Sequence, residues 1–360
     1  MRTRCITILG RISLLIAASA LALGSAELLL RHRFKDTPYT PGEQILLLQS
    51  WLQSDPKVGF LWKSDVDYED GIRIGWADQE LELATLSTDS DGFLNHPHAI
   101  ANREKGLPMQ IVALGDSFMQ GTAYPYTEYF GKRRLTYYNL AVQRQCPPQY
   151  NLILETYALP LRPRLILYGV FFNDFEEILD FFEWQRSGLD WFTYHSGTWC
   201  GPPINGRYAL KGWRRQMRGL YMGYRALRAL LPMTRRSNAK NDQAYPSSLS
   251  QLCRCVLEAR DFCAENNINF LLLLIPSKQS VLKGDPLEER AYTDILSFCQ
   301  ENRIPALHLR GHFVRHNDPA QLYNQVDAHW NIAGMLHTVT ALEPFLPDPT
   351  PGPEPKLSPH

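Results

Sequence analysis

Between residues 106 and 346, short apolar runs alternate with stretches whose apolar positions step by three and four. Met109–Leu114 (MQIVAL), Thr136–Val142 (TYYNLAV), Arg164–Val170 (RLILYGV), Phe270–Ile275 (FLLLLI) and Ala306–Leu309 read as strands, the fourth stopped by Pro276. Gln149–Ala158, Leu287–Asn302 and Asn331–Leu342 read as helices. Leu249, Leu252, Val256, Ala259 and Cys263 mark one more by their spacing. Strands that alternate with helices predict an α/β fold with a parallel sheet covered on both faces. Ligands in such folds bind beyond the C-terminal strand ends.

Three segments break this rhythm. Residues 36–105 mix turn signals, such as Asp91-Gly92, with short apolar pieces and read as an irregular lead-in with short strands. Residues 175–245 read as an insertion. Its first part (DFFEWQRSGLDWFTYHSGTW) is dense in aromatics. Its second carries Trp213, Met217, Leu220, Tyr224, Leu227 and Leu231 at helical spacing among Arg214, Arg215, Arg218, Arg225 and Arg228. That basic amphipathic helix suits packing on the domain, contact with anionic lipid, or a lid. The tail at 347–360 is rich in Pro and is expected to be disordered.

The N-terminus has a different character. A basic start (MRTRCITILGR) leads into an apolar stretch from Ile6 to Leu30, broken by few polar residues. A spanning helix needs roughly 20 apolar residues. Residues 1–35 are therefore expected to form a cytoplasmic tip and an uncleaved transmembrane signal anchor, with the rest of the chain outside the cytoplasm. Gly24-Ser25-Ala26 offers an alternative cleavage site, but apolar residues continue past it to Leu30.

Composition adds limits. The 360 residues are 44% hydrophobic and 21% charged, with a formal net charge of zero, so no global charge points to nucleic acid. Of the seven Cys, the six after Cys5 form an even set that an oxidising compartment could pair. Cys253 and Cys255 sit two apart in a helical pattern, which puts them on nearly opposite faces and argues against joint chelation. No cofactor and no metal is expected.

The candidate chemistry lies in three places. Gly115-Asp116-Ser117-Phe118 follows a buried strand directly, so Ser117 is expected at a strand-to-helix turn where a substrate can reach it. Asn173 ends the third strand, where its amide could donate to a developing oxyanion. Asp327 and His329 precede the last helix, two residues apart in a stretch expected to be extended. Asp327 could then orient His329, which could take the Ser117 proton. Each string alone also fits a turn or a helix cap. Their conjunction, in this order and at these strand ends, is far more specific.

These residues resemble the SGNH/GDSL hydrolase family, as found in membrane-anchored, uncharacterised members. The likeness runs from about Thr88 to Leu346 and rests on TDSDGF at 88–93, GDSF with Gly121, NLAV at 139–142, FFND ending at Asp174, and DAHWNIAG at 327–334. It implies a flavodoxin-like three-layer αβα sandwich, with Ser117, His329 and Asp327 as the catalytic triad and the Ser117 N–H and Asn173 as oxyanion donors. The Asp stands two residues before the His rather than the commoner three. The family's second block usually supplies a Gly to the oxyanion hole. Arg144 stands where that Gly is expected, so a backbone N–H remains while glycine's access to positive φ is lost.

The resemblance implies acyl transfer through an acyl-enzyme. A serine esterase acting on an acylated envelope glycan or lipid, of the carbohydrate O-deacetylase kind, is the first expectation. An O-acyltransferase would use the same triad with a sugar hydroxyl as acceptor. A non-catalytic binding or scaffold protein on a decayed hydrolase fold is the reading from another class, prompted by the missing Gly.

Overall fold

The structure is a computed structural model that describes residues 18–19, 21–30, 52–66, 87–194, 239–324 and 328–349. The chain divides into two compact units, one of residues 1–50 and 195–237 and the other of residues 51–194 and 238–360. In the first unit, residues 21–30 are helical, with Leu21, Leu23, Leu28 and Leu29 exposed. Among the described residues no helix is long and apolar enough to cross a membrane. Most of the stretch expected to span, and the basic helix at 213–231, lie outside the described residues.

The second unit opens with two hairpins, β1 (Leu52–Asp55) with β2 (Gly59–Trp62) and β3 (Ser87–Thr88) with β4 (Leu94–Asn95). Helix α1 (Pro97–Glu104) follows. Strand β5 (Ile111–Leu114) leads into α2 (Ser117–Gln120) and α3 (Ala123–Lys132), and β6 (Tyr137–Asn139) into α4 (Pro147–Ile153). Strand β7 (Leu165–Phe171) leads into α5 (Asp174–Ser187) and α6 (Trp191–Tyr194). Helix α7 (Ala239–Glu265), β8 (Asn269–Ile275), α8 (Lys278–Lys283), α9 (Pro286–Glu301), β9 (Ala306–His308), α10 (Arg310–Val314) and α11 (Ile332–Leu342) complete it.

Five strands form one parallel sheet in the order β6-β5-β7-β8-β9. Numbered from its first strand, this is the 2-1-3-4-5 order of the flavodoxin-like arrangement. Both faces are covered, as continuous apolar strands require. Ile111, Ala113, Leu165, Leu167, Leu271 and Leu273 pack with Phe118, Tyr126, Phe130, Met335 and Val339 on one side. Their neighbours Val112, Leu114, Ile166, Tyr168, Leu272 and Leu274 are equally buried on the other. There Tyr168 meets Tyr150 edge-on at 5.4 Å and donates to Asn151 Oδ1 at 2.8 Å.

The insertion, expected from residue 175, begins inside the helix Asp174–Ser187. Phe175, Ile178, Phe181 and Trp184 step by three along its buried side. The five described cysteines, Cys146, Cys253, Cys255, Cys263 and Cys299, are buried free thiols. Burial pushes Cys253 up to about 11, and Cys255, Cys263 and Cys299 to about 12. They are thus held as thiols and behave as small apolar side chains.

The lead-in is fastened to the domain by polar groups. Asp89 Oδ1 accepts the N–H groups of Asp91 and Phe93, and Arg103 of α1 pairs with both Asp89 and Asp91. Asn95 and Asn139 bond reciprocally: Asn95 Nδ2 donates to Asn139 O at 2.9 Å, and Asn139 N donates to Asn95 Oδ1 at 2.8 Å. This buried pair occupies the backbone groups of Asn139 at the end of the edge strand β6. Asn95→Ala leaves both without their partner, and an unsatisfied buried group costs about 1–3 kcal/mol. A stability loss of that size is expected in thermal unfolding of the purified chain. A variant as stable as the parent would show that the pair does not fasten the edge.

Candidate active site

In the 2-1-3-4-5 order, chain connections leave β5 and β7 toward opposite sides, and a crevice opens between their C-terminal ends. Ser117 follows β5, and Asn173 follows β7. The turn that delivers Ser117 is sharp. Gly115 has φ +153, a conformation L side chains rarely adopt, and a Cβ there would lie 2.5 Å from Met119 Cγ and 3.1 Å from Gly169 O. Asp116 caps α2, its Oδ1 accepting the Phe118 N–H at 2.9 Å. Ser117 is left half-buried as the first residue of that helix.

His329 comes from the loop before α11. An isolated bridge joins Tyr323 to Trp330, and Asn324 N donates to His329 O at 3.0 Å. Asn331 caps α11 by accepting the Gly334 N–H at 3.0 Å. Gly334 lets this loop close, because a Cβ there would lie 2.2 Å from Leu322 O.

Two adjacent residues from each side then meet. Ser117 Oγ lies 2.7 Å from His329 Nε2. Beside this contact, Trp330 Nε1 donates to Phe118 O at 3.0 Å. The Phe118 ring lies between Phe171 at 4.0 Å and the His329 imidazole at 4.6 Å. Phe118 and Trp330 were not singled out in the sequence, although each directly follows a candidate residue. The Ser–His geometry can pass the serine proton to imidazole. Asp327 lies outside the described residues.

Asn173 is set by Asp174. The Asp174 carboxylate accepts the Phe171 N–H at 2.9 Å and the Tyr150 O–H at 2.9 Å, which fixes the turn between β7 and α5. Asn173 itself takes the N-cap position of α5, and Glu176 and Glu177 donate their N–H groups to its carbonyl. Burial raises both Asp116 and Asp174 above the ordinary carboxylate range, with the neighbouring His329 opposing the rise at Asp116.

Arg144 corrects an expectation. Its φ is +61, so the chain adopts there the left-handed backbone that a Gly would take easily. Gln145 N donates to Val142 O at 3.2 Å, which places Arg144 third in a four-residue turn, where a type II turn demands positive φ. Such a backbone costs a non-glycine residue about 1–2 kcal/mol. Neighbours offset that cost. Val142 N donates to Gly115 O at 3.1 Å, and Gln143 N to Gln120 Oε1 at 2.9 Å. Gln145 Nε2 donates to Phe60 O at 2.8 Å. Arg144 itself is exposed.

No protein-family model matches the chain, and a search of curated protein sequences finds no match. Among solved structures, the chain is similar to a GDSL-like lipase from Bacteroides thetaiotaomicron at 11% identity and TM-score 0.39, over 68% of this chain and 96% of that one. It is similar to the lipase/acylhydrolase from Enterococcus faecalis at 9% identity and TM-score 0.38, over 67% and 98%. It is also similar to the acetyl xylan esterase AlAXEase at 13% identity and TM-score 0.38, over 65% and 99%.

Gly115→Ala should lower stability through both strain and overlap. The unfavourable φ alone costs about 1–3 kcal/mol. Adding Met119→Ala removes only the overlap with Cγ and leaves both the strain and the 2.7 Å approach to the Cβ of residue 119, so the double variant is expected to stay less stable than Met119→Ala by at least about that amount. Equal melting temperatures for Met119→Ala and the double variant would refute this account of the turn.

Proposed function

We propose that the chain is a serine esterase of the SGNH/GDSL type, acting on an acylated envelope glycan or lipid. The observation that carries this reading is the 2.7 Å contact between Ser117 Oγ and His329 Nε2 at the C-terminal end of a parallel sheet.

In this mechanism His329 takes the Ser117 proton as Oγ attacks an ester carbonyl. The carbonyl oxygen gathers negative charge beside the Ser117 N–H, the Asn173 amide and the Arg144 N–H. Collapse of this adduct breaks the bond to the alkoxide, which leaves with the proton that His329 returns. Water, deprotonated by the same imidazole, then attacks the acyl-serine and frees the acid and Ser117. Asp327 orients His329 and stabilises its charged form. The φ of +61 at Arg144, the backbone a Gly would take, supports the reading of its N–H as the third donor.

The membrane is the proposed location. The apolar stretch Ile6–Leu30 tethers the chain, and the exposed leucines of residues 21–30 support a lipid-facing role. Full-length chain carrying a C-terminal tag is expected in the membrane fraction at its full mass. A soluble species beginning near Glu27 would show cleavage instead.

Turnover of short acyl esters and acetylated glycans should fall by at least about three orders of magnitude in Ser117→Ala and in His329→Ala, with the fold intact. Retained turnover in Ser117→Ala would exclude the mechanism. With a sugar acceptor present, acyl-sugar outpacing free acid would point to the O-acyltransferase. Activity is expected to survive chelators. Stoichiometric zinc lost together with activity would assign Asp327 and His329 to a metal.

A further inference from the structure

Beneath the Ser117–His329 contact lies a cluster that the ester chemistry leaves unused. The carboxyl groups of Asp116, Asp174 and Glu177 are near neighbours: Asp116 raises the proton affinity of both Asp174 and Glu177, and Glu177 raises that of Asp174. The Asn173 amide stands beside the carboxyls of both Asp116 and Glu177. Three oxygens here are sealed from solvent and have no partner of hydrogen-bond geometry among the described residues: Asp116 Oδ2, Asn173 Oδ1 and Glu177 Oε2. All three are acceptors when the acids are ionised, so no rearrangement among them alone can satisfy them.

One added proton can. An amide offers two N–H donors and one carbonyl acceptor. Between two ionised carboxylates, both N–H groups would be drawn to the acids, the carbonyl would face only acceptors, and nothing would be left to donate to a substrate. With a proton on Glu177, its O–H can serve Asn173 Oδ1. One amide N–H then serves Asp116 Oδ2, and the other is released toward the crevice.

Glu177 is the acid placed to carry that proton. Asp174 already has the Phe171 N–H and the Tyr150 O–H, and Asp116 has the Phe118 N–H and faces His329. Glu177 lies one helical turn after Asn173, its own N–H donating to Asn173 O at 3.1 Å.

We propose that Glu177 is a positioning residue for the oxyanion site: its protonated carboxyl donates to Asn173 Oδ1, fixes which way the amide faces, and turns an Asn173 N–H toward the substrate oxygen. This rests on the reading of Asn173 as an oxyanion donor. The groups facing Glu177 set when it holds the proton. They are Asp116 from the β5 turn, Arg144 and Cys146 from the loop after β6, Tyr150 from α4, and Asp174 and Asp180 from its own helix. Burial, Asp116 and, less strongly, Asp180 push its carboxyl up to about 8, against the pull of Arg144 and of the Asn173 amide, whose N–H groups favour the ionised acid. Below that pH Glu177 keeps its proton and Asn173 its orientation; above it, both are lost.

The test measures kcat and KM for a short acyl ester from pH 6 to 9.5 in the full chain, Glu177→Gln and Glu177→Ala. In the parent, kcat should fall above about pH 8 with KM nearly constant, because an oxyanion donor acts on the transition state. Glu177→Gln donates an N–H to Asn173 Oδ1 at every pH, so it should rescue kcat at pH 7 and abolish the alkaline fall. Glu177→Ala should lose roughly 10- to 100-fold in kcat, less than removal of the donor itself. An alkaline fall that persists unchanged in Glu177→Gln overturns the proposal. So does a kcat in Glu177→Ala equal to that of the parent. A parent chain with neither turnover nor labelling of Ser117 by a fluorophosphonate overturns the esterase reading and this inference together. Labelling and turnover in the parent with no effect of Glu177 overturns the inference alone.

Discussion

The site depends on one steric constraint, the absence of side chains at Gly115 and Gly169. Met119 packs into the space they leave. A Cβ at residue 115 would lie 2.5 Å from Met119 Cγ, and one at residue 169 only 2.2 Å from it. With both positions bare, α2 can start directly at the end of β5 and lie against β7. Ser117 is thereby carried to the mouth of the crevice between the two strands. Phe118 turns the other way into the core, where it gives Trp330 a carbonyl to bind and His329 a ring to rest on. The serine and the histidine, 212 residues apart in sequence, meet because the residues directly after them meet.

From α2 the same organisation spreads outward through Gln120. Its Oε1 accepts from Gln143 N and from the Trp62 indole, joining the Ser117 helix to the Arg144 turn and to the β1–β2 hairpin. Gln145 and Gln149 donate to Phe60 O and Val58 O on that hairpin. The lead-in is therefore part of the wall that holds the Arg144 turn in shape. A left-handed arginine is tolerable where so many bonds determine its neighbours. The buried acids beneath are a second consequence, since a tight turn between parallel strands leaves its capping carboxylates little access to water.

Much of this was legible in the sequence, for identifiable reasons. Strands such as Phe270–Ile275 are nearly pure apolar runs, and a parallel sheet buried on both faces leaves that signature. The pairing of Ser117 with His329 followed from the order of three strings at strand ends. Helix α5 was hidden because its aromatics drew attention by composition, although Phe175, Ile178, Phe181 and Trp184 carry helical spacing. Helix α3, AYPYTEYFGK, has a Pro, a Gly and three tyrosines, which mask its pattern. The left-handed φ of Arg144 was missed because hydrogen bonds from distant segments impose it. Glu177 is not legible in the sequence, because an acid in the first turn of a helix ordinarily complements the helix dipole. Only the fold brings Asp116 and Arg144 close to it.

The proposed esterase chemistry stands or falls on the activation of Ser117 as a nucleophile by His329. The most direct measurement is to treat the full chain with a fluorophosphonate, weigh the intact protein and map the modified residue by mass spectrometry. One adduct per chain is expected, on Ser117, absent in Ser117→Ala and strongly slowed in His329→Ala. An adduct on another residue, or no adduct on a folded parent chain that hydrolyses esters, would contradict it.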